Sequence, residues 1–354
     1  MMQDSFIYSP LPARVVFGKG SLASLAREVE QLGATRALVL CTPEQMPLAR
    51  RVAELLGDRY VGTFPGAVMH VPIEVAREAR ALAARLGADC AVAVGGGSTI
   101  GLCKAIALES PIPIVAVPTT YAGSEMTPIY GITENGEKKT GRSAQVLPRS
   151  VVYDPELTLS LPPAISATSG LNAIAHCVEA MYAANANPVT TLMAEDGIRA
   201  LASGLPEVVT RPHDMAARSA CLYGAWLAGS VLGTCAVALH HKLCHTLGGM
   251  LNLPHAQTHA IILPHAVQYN AAAAPHVMAR IAAALGSDDA ARGLHQLARR
   301  LQVPLALEQL GVRHGDLARV ADQALRAPYP NPAPLTRDGI LSLLENAFAG
   351  VEPH

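Results

Sequence analysis

Aromatic residues are scarce in this chain of 354 residues, at 4 % with a single tryptophan. Proteins that bind single-stranded nucleic acid stack bases on such side chains, so a base-stacking surface is not expected. Charged residues make up only 16 % and leave a formal net charge of −1, whereas a nucleic-acid-binding protein normally carries a basic stripe. Half of the residues are hydrophobic, which indicates a large buried core and no nucleic-acid partner.

The sequence also lacks paired cysteines and an N-terminal leader. Its seven cysteines are scattered without a CxxC pair, and several stand in apolar runs, as is typical of buried free thiols in a reducing compartment. The first ten residues, MMQDSFIYSP, contain an acidic residue and no apolar segment of the kind found in a signal peptide. Both features predict a cytoplasmic protein.

One stretch without charge, Ala220 to Leu239, is about as long as a membrane-spanning helix. It could be a membrane span or a buried core helix. Its abundant Gly, Ala, Ser, Thr and Cys residues are only weakly hydrophobic, and histidines follow directly. These features favour the core helix and no membrane partner.

The chain changes character near Asp154-Pro155. Before this point, short runs that are apolar throughout alternate with helical patterns, which predicts a parallel, doubly wound, Rossmann-like sheet covered on both faces. From about Pro162 onward nearly every segment is helical. We therefore predict an α/β cofactor-binding domain at 1–158 and an all-helical catalytic domain at 159–354, with a ligand cleft between them. The strands are predicted at 14–18, 37–41, 60–64, 90–94, 112–117 and 151–154.

A glycine cluster, Gly95, Gly96, Gly97 and Ser98, lies between the strand CAVAV and a helix. Glycines let the backbone approach a charged group closely, and a helix N-terminus offers free N–H groups and partial positive charge. The pyrophosphate of a dinucleotide suits such a turn, although the spacing is not the GxGxxG fingerprint. A tight strand-to-helix turn without a ligand is the alternative.

A second turn of the same kind follows the strand IPIVAV and supplies Thr119, Thr120 and Ser124. Ligands of open α/β sheets bind at the carboxyl ends of the strands. Two such turns in succession favour a dinucleotide site over two ligand-free turns.

The strand ALVLC ends at Thr42, where an acidic residue would hold the ribose 2′-hydroxyl and repel a 2′-phosphate. Because Thr42 is not acidic and Pro43 follows it, we expect NADH and NADPH both to be accepted. Lys139, in GEKKTGR, is a further candidate for contacting cofactor phosphates, with a solvated loop as the alternative.

Histidines cluster in the second half of the chain. His241 and His245 are four residues apart on one helical face, and His255 follows Pro254. On another predicted helix, SGLNAIAHCVEA, Asn172 and His176 have the same spacing. A lone histidine on an apolar face is usually a core residue, but this set could converge on a metal ion or on a proton-transfer site.

The segments FGKGSL, GGGS followed by Lys104, VPTT…GSE, SGLNAIAHCVEA and H…H…PH occur in this order. The set resembles the iron-containing alcohol dehydrogenase superfamily over nearly the whole chain. The resemblance implies a dehydroquinate synthase-like architecture. It also implies a candidate metal position, because family members bind a divalent metal through positions that match Asn172, His176, His241 and His255. It also implies that His245 is an active-site histidine.

Two departures from the metal-binding members indicate a branch of this superfamily. Asn172 and Gly101 each stand where those members carry Asp, and AVMHVP and the segment at 141–162 resemble the maleylacetate reductases. That resemblance implies reduction of the conjugated C=C bond of 2-maleylacetate to 3-oxoadipate in the breakdown of aromatic compounds. It also implies a homodimer and a dicarboxylate substrate. Whether chlorinated derivatives are also accepted stays open from the sequence.

The amide at Asn172 is consistent with this chemistry. Alcohol oxidation needs a Lewis acid, whereas an enolate formed from a conjugated enone can be stabilised by imidazoles or by Lys242. A site built in this way would not require a metal, although one amide and three imidazoles could still coordinate zinc. His70, in VMHVP, is a candidate substrate contact or a structural hydrogen-bonding residue, and His240 and His259 are interpreted as structural.

Other activities remain open from the sequence alone. The main alternative is a metal-dependent alcohol or polyol dehydrogenase of the same superfamily. A cyclising lyase similar to dehydroquinate synthase would need a fuller set of zinc ligands than Asn172 allows.

Overall fold

The structure is a computed structural model that describes residues 6–11, 13–134 and 137–354. It divides into two compact units. The α/β unit comprises Pro10–Leu161, and the helical unit comprises Pro162–His354 together with the described N-terminal residues up to Ser9. The division falls three residues after the predicted boundary at 158.

Six parallel strands form the sheet of the α/β unit, in the order β1-β8-β5-β4-β2-β3. They are β1 (Arg14–Phe17), β2 (Ala37–Leu40), β3 (Tyr60–Phe64), β4 (Cys90–Gly95), β5 (Ile114–Pro118) and β8 (Ser150–Tyr153). An antiparallel hairpin is formed by β6 (Ile129–Glu134) and β7 (Glu137–Arg142). The parallel sheet is confirmed, whereas the charged residues Glu137–Arg142 form a hairpin strand rather than the loop considered above.

Four helices cover the two faces of this sheet: α1 (Leu25–Gln31), α2 (Met46–Leu56), α3 (Ile73–Leu86) and α4 (Gly97–Glu109). Successive side chains of a strand point to opposite faces. Val39 and Val92 accordingly belong to the core that includes α1 and α2, whereas Leu38 and Ala91 belong to the core that includes α3 and α4. Because both faces are buried, β2 and β4 are apolar throughout.

The helical unit contains α5 (Pro163–Tyr182), α6 (Pro188–Thr210), α7 (Met215–Thr234), α8 (Leu239–Leu251), α9 (His255–Asn270), α10 (Pro275–Leu285), α11 (Ala290–Arg300), α12 (Leu317–Ala324) and α13 (Arg337–Ala349). Helix α5 is buried continuously from Ser166 to Met181. Small residues let its neighbours approach, since a Cβ at Gly197 would lie 2.8 Å from the Sγ of Cys177. This close packing places the polar side chains of α5 inside the unit.

Helix α7 covers most of the uncharged stretch noted above, and residues along its length are buried. Within the described part of the chain, no single helix is long and apolar enough to cross a membrane. Helices α7 and α8 meet the criteria of length and composition only as a pair, and they are bent by 92° at the break between them.

A strained turn precedes α3. His70 and Val71 have φ angles of 67° and 46°, in the left-handed region that β-branched residues strongly disfavour. Thr133 holds this turn, because its hydroxyl donates to the carbonyl oxygen of His70 at 2.8 Å and its N–H donates to that of Val71 at 3.0 Å. The Val71 side chain is buried, whereas His70 is exposed.

Gly101 of α4 makes room for this turn. A Cβ at this position would lie 2.9 Å from Cγ2 of Val71, closer than carbon atoms normally pack. The glycine therefore allows the buried valine to anchor the turn that presents His70.

We predict that Gly101→Ala destabilises the protein by about 1–3 kcal/mol, because the added methyl group overpacks against Val71. This is the reverse of the usual gain from Gly→Ala within a helix. Val71→Ala should remove the clash. The double variant should therefore lose less unfolding free energy than the sum of the losses in the two single variants. Urea-denaturation midpoints of the three variants measure this coupling.

Gly249→Ala in α8 is the control, since nothing lies within 4 Å of the added Cβ there. It should leave stability unchanged or raise it slightly. Additive costs for the Gly101 and Val71 substitutions would contradict the packing argument.

Candidate active site

Three helices of the helical unit carry the clustered histidines: α5 supplies His176, α8 supplies His241 and His245, and α9 begins at His255. The ring of His176 stacks on that of His241, with centroids 5.2 Å apart. His241 contacts His245 at 6.0 Å, and His245 stacks on His255 at 6.1 Å. The structure therefore brings the four predicted imidazoles together.

Two histidines that were interpreted as structural extend this cluster. His259 lies 4.2 Å from His255 and 5.0 Å from His241 between ring centroids, and His240 lies 4.8 Å from His259. The six imidazoles differ in their exposure to solvent. His245 and His255 are exposed, whereas the other four are buried.

Glu179 fixes the position of His241. This buried carboxylate on α5 accepts backbone N–H bonds from Ala238 at 2.9 Å and from His240 at 2.8 Å, where α8 begins without a side-chain cap of its own. Its Oε2 also lies 2.6 Å from Nδ1 of His241. A carboxylate at this position requires a proton on Nδ1, so the other ring nitrogen, Nε2, is left to interact with a ligand.

Several polar atoms of the cluster are buried without a hydrogen-bond partner among the described residues. They include Oδ1 of Asn172, Nδ1 of His176 and Nε2 of His241. Buried polar atoms are normally satisfied, and exceptions are often found at binding sites. Burial, together with the neighbouring imidazoles of His241, His255 and His245, lowers the pKa of His176 well below its ordinary value.

Lys242 and His70 were also predicted to act on the substrate. Lys242 is half-buried, and its Nζ lies 5.5 Å from the ring centroid of Tyr329, a cation–π contact. It follows His241 directly on α8 and precedes His245 by three residues, a spacing that makes Lys242 and His245 neighbours on the helix surface. His70 belongs to the α/β unit, at the strained turn.

The glycine turn of the α/β unit has the form that a phosphate requires. Gly96 is the N-cap of α4 and provides no side-chain cap, while Gly97 is exposed at the first turn. A Cβ at Gly97 would approach only Ala122, at 4.0 Å, so the space above this helix end is open. Free N–H groups beside open space at a helix N-terminus fit the pyrophosphate of a dinucleotide.

The sheet topology places this turn at a crevice. Strands β2 and β4 are hydrogen-bonded neighbours, and the chain leaves them towards opposite edges of the sheet. Such a switch point is where doubly wound sheets bind ligands. The second predicted turn is adjacent, because β5 pairs with β4 and a Cβ at Gly96 would lie 2.8 Å from the side chain of Thr120.

The other predicted cofactor residues have partners within the protein. The buried hydroxyl of Thr119 accepts a bond from Gln45 at 3.3 Å. The backbone oxygen of Ser124 accepts from Lys104 at 2.7 Å, so its turn is fixed by a buried ammonium. Lys139 forms an exposed ion pair with Glu134 at 2.8 Å.

Sequence reasoning overlooked a carboxylate after β2. Glu44 lies two residues beyond Thr42, and a hydrogen bond from the Thr42 side chain lowers the pKa of its exposed carboxyl group. The sequence analysis considered only Thr42, which follows the strand directly, and therefore did not include Glu44. Glu44 is four residues beyond the end of β2, and in dinucleotide-binding folds an acidic residue about 20 positions after the glycine turn contacts the ribose.

The positions that match the family's metal ligands carry one amide and three imidazoles, those of Asn172, His176, His241 and His255. Asn172 offers a neutral amide in place of a carboxylate. In the described part of the chain, one trio of His, Cys, Asp or Glu side chains brings its ligand atoms within 4.8 Å of one another, and it is His240, Cys244 and His259. The imidazoles of His176, His241 and His255 form no such trio.

Comparison with known proteins agrees with these features. Residues 12–155 match the family described as iron-containing alcohol dehydrogenase, and residues 166–348 match the C-terminal part of the Fe-containing alcohol dehydrogenase family. A maleylacetate reductase of Burkholderia cepacia is 60 % identical over 99 % of both chains, and one of Sphingobium indicum is 54 % identical over 98 % of this chain and 99 % of the relative.

The crystal structure of a maleylacetate reductase from Agrobacterium tumefaciens is 51 % identical and superposes with a TM-score of 0.97, covering 99 % of this chain and all of that one. The family consists of NAD(P)-dependent oxidoreductases. Its two matched regions cover nearly the whole length, and the chain therefore belongs to the iron-containing alcohol dehydrogenase family and, within it, to the maleylacetate reductases.

Proposed function

We propose that this enzyme reduces the conjugated C=C bond of 2-maleylacetate with NADH or NADPH and forms 3-oxoadipate, a step in the breakdown of aromatic compounds. The observation that carries the proposal is the polar face formed by Asn172, His176 and His241. Its buried atoms lack partners within the described residues, and the carboxylate beside it, Glu179, is engaged by α8 and by Nδ1 of His241. Relatives that match this chain over nearly its full length are named after the same activity, as maleylacetate reductases.

The reaction needs a hydride and a proton. NADH or NADPH, when bound, would supply the hydride. Addition of a hydride to the alkene carbon remote from the ketone leaves an enolate. A proton then joins the neighbouring carbon, so the substrate gains two hydrogens and the ketone is retained. The protein must hold two carboxylates, stabilise the enolate oxygen and deliver this proton.

The imidazole cluster can perform these tasks. His241 is held through Nδ1 by Glu179, so its Nε2 can donate a hydrogen bond to the enolate oxygen when the ring is protonated. His245 and His255 are exposed and stand beside it, where they can exchange protons with solvent. Asn172 and His176 complete the face with neutral polar groups.

The substrate's charge explains the amide. An aspartate in place of Asn172 would stand among groups that receive a dianion. Two like charges about 4 Å apart repel by roughly 4 kcal/mol at an intermediate dielectric of about 20. Removal of that charge therefore favours a dicarboxylate over an uncharged alcohol.

We further propose that turnover needs no divalent metal. The support is the donor set, since an amide and imidazoles at the family's ligand positions bind a hard or borderline ion less strongly than a set with a carboxylate. In the α/β unit, the exposed carboxylate of Glu44 disfavours a 2′-phosphate, so we propose a preference for NADH over NADPH.

A cytoplasmic homodimer is proposed as the working form. All seven cysteines are free and buried, which supports a reducing compartment. The dimer is supported by the family resemblance and by the high apolar content.

The first prediction from the proposed function concerns the substrate and the metal requirement. Enzyme dialysed against EDTA should oxidise NADH rapidly with maleylacetate, because imidazoles and not a metal stabilise the enolate. Lactaldehyde with NADH, and glycerol with NAD⁺, should give little turnover under the same conditions. Absorbance at the NADH band measures each rate, with and without chelator.

Two results would contradict this prediction. One is loss of maleylacetate reduction on metal removal. The other is alcohol oxidation that appears with added iron or zinc and improves in Asn172→Asp, which would identify a metal-dependent alcohol dehydrogenase instead.

The second prediction concerns the imidazole that Glu179 positions. His241→Ala should lower kcat by roughly 10²–10³-fold, the usual cost of removing a donor to a developing oxyanion. The KM for NADH should change little. Glu179→Gln should lower kcat as well, because the amide no longer fixes the tautomer of His241.

His265→Ala is the matched control, since His265 is a buried imidazole of α9 outside the ring contacts described above. Steady-state kinetics of the three variants provide the comparison. Unchanged kcat in His241→Ala would exclude this residue from the chemistry.

The third prediction concerns the cofactor turn. Gly97→Val should raise the Kd for NADH by at least roughly tenfold, because the side chain occupies the open space above the N-terminus of α4. The fold should be retained, since a Cβ there meets no protein atom closer than 4.0 Å.

Fluorescence titration with NADH measures the affinity. Gly315→Val is the control, because nothing lies within 4 Å of its added Cβ and it is remote from α4 in sequence. Equal affinities in the two variants would place the cofactor phosphates elsewhere.

A further inference from the structure

His240, Cys244 and His259 form a buried trio on two adjacent helices. His240 and Cys244 are four residues apart on α8, so their side chains share one face. His259 faces them from α9, and all three are at most 1 % exposed. Nε2 of His240 lies 2.9 Å from Nδ1 of His259 and 3.8 Å from Sγ of Cys244.

These separations are close to those of a metal site. In a tetrahedral zinc site, two imidazole nitrogens stand ~3.3 Å apart, and a nitrogen and a sulfur ~3.5 Å apart. The observed 2.9 Å and 3.8 Å each differ from these values by a few tenths of an ångström. The ligand atoms of the trio all lie within 4.8 Å of one another, so rotation of the two rings out of their mutual hydrogen bond would let them converge on an ion.

The protons can be accommodated. The proton shared between the two imidazoles can move to the other nitrogen of the ring that carries it, and Nδ1 of His240 and Nε2 of His259 are both buried without a partner in the described structure. The thiol proton of Cys244 leaves to solvent as the sulfur–metal bond forms. No oxidant or reductant is required.

The charges also balance. A divalent ion bound by one thiolate carries a net charge of +1, which is costly to bury alone. Glu179 is buried beside the trio, since its charge acts on Cys244 and it accepts the backbone N–H of His240 at 2.8 Å. With this carboxylate ionised, the occupied site is neutral overall.

We propose that this trio is a binding site for a thiophilic divalent metal ion, such as Zn²⁺, separate from the positions that match the family's metal ligands. A thiolate and two imidazoles are the donors that zinc prefers. The site stands beside the reacting imidazoles, because the rings of His240 and His259 lie 5.2 Å and 5.0 Å from that of His241. It does not depend on the proposed function, since no substrate takes part.

Cobalt substitution tests this site directly. The enzyme is stripped with chelator, returned to chelator-free buffer and titrated with Co²⁺ while its spectrum is recorded. Co²⁺ bound by the trio should show a near-ultraviolet charge-transfer band from the thiolate, saturating at about one ion per chain, together with tetrahedral d–d bands. Zn²⁺ should then displace the cobalt and abolish both.

Variants locate the ligands. Cys244→Ala should abolish the charge-transfer band, and His259→Asn should weaken cobalt binding by at least roughly tenfold through loss of one ligand. Cys221→Ala is the matched control, because Cys221 is an equally buried free thiol on α7. It should leave the spectrum unchanged. Thermal unfolding of each variant confirms that it is folded, and His259→Asn provides the test if Cys244→Ala is not.

Three outcomes would overturn the proposal. The first is wild-type enzyme that shows no cobalt spectrum. The second is d–d bands without charge transfer, which would place the ion at sulfur-free positions such as His176, His241 and His255. The third is a charge-transfer band that persists in Cys244→Ala. Since no reaction is measured, none of these results bears on whether the enzyme reduces maleylacetate.

Discussion

The carboxylate of Glu179 is the group on which the arrangement of the helical unit depends. It completes the N-terminus of α8, which has no cap of its own, and it binds Nδ1 of His241 at 2.6 Å. One side chain thus sets both the start of a helix and the orientation of the ring that the helix carries. The negative charge is held on the far side of His241, so Nε2 and its neighbours can receive an anion.

The imidazole cluster combines this fixed ring with a gradient of solvent exposure. His245 and His255 meet solvent, His176 and His241 lie beneath the surface, and His240 and His259 belong to the core. Burial of neutral imidazoles in mutual contact costs less than burial of charges, and burial keeps the pKa values of His176, His240 and His259 well below the ordinary value. The cluster can therefore be both deep and polar, provided that its members find partners in one another or in a ligand.

Much of the fold followed from local patterns. Apolar runs that alternate with helices indicated the parallel sheet, because strands buried on both faces carry no polar residues to obscure them. The glycines at 95–97 indicated an open helix N-terminus, and the spacing of Asn172, His176, His241 and His245 indicated two facing helices. These interpretations rest on periodicity, which is a property of adjacent residues.

Features that depend on distant residues were not accessible in this way. Glu179 was overlooked because its partner residues, Ala238, His240 and His241, lie at the start of α8, about 60 positions further along the chain. His240 and His259 were interpreted as structural because nothing local shows that their rings meet. The hairpin strands at 129–134 and 137–142 were missed because the charged second strand resembles a loop. Lys104 was not assigned its contacts to the turn and to the hairpin, because the carbonyl oxygens that it binds, those of Thr127 and Ile129, are more than 20 positions away in sequence.

The packing of Val71 against Gly101 has a consequence for redesign of this scaffold. The family resemblance implies Asp in the metal-binding members at the positions of both Asn172 and Gly101, so one route to an alcohol-oxidising enzyme is to introduce both. An acidic side chain at position 101 begins with a methylene group that would stand 2.9 Å from Val71. Position 101 and the turn before α3 are therefore coupled, and a redesign that introduces an acidic residue at position 101 must change Val71 as well.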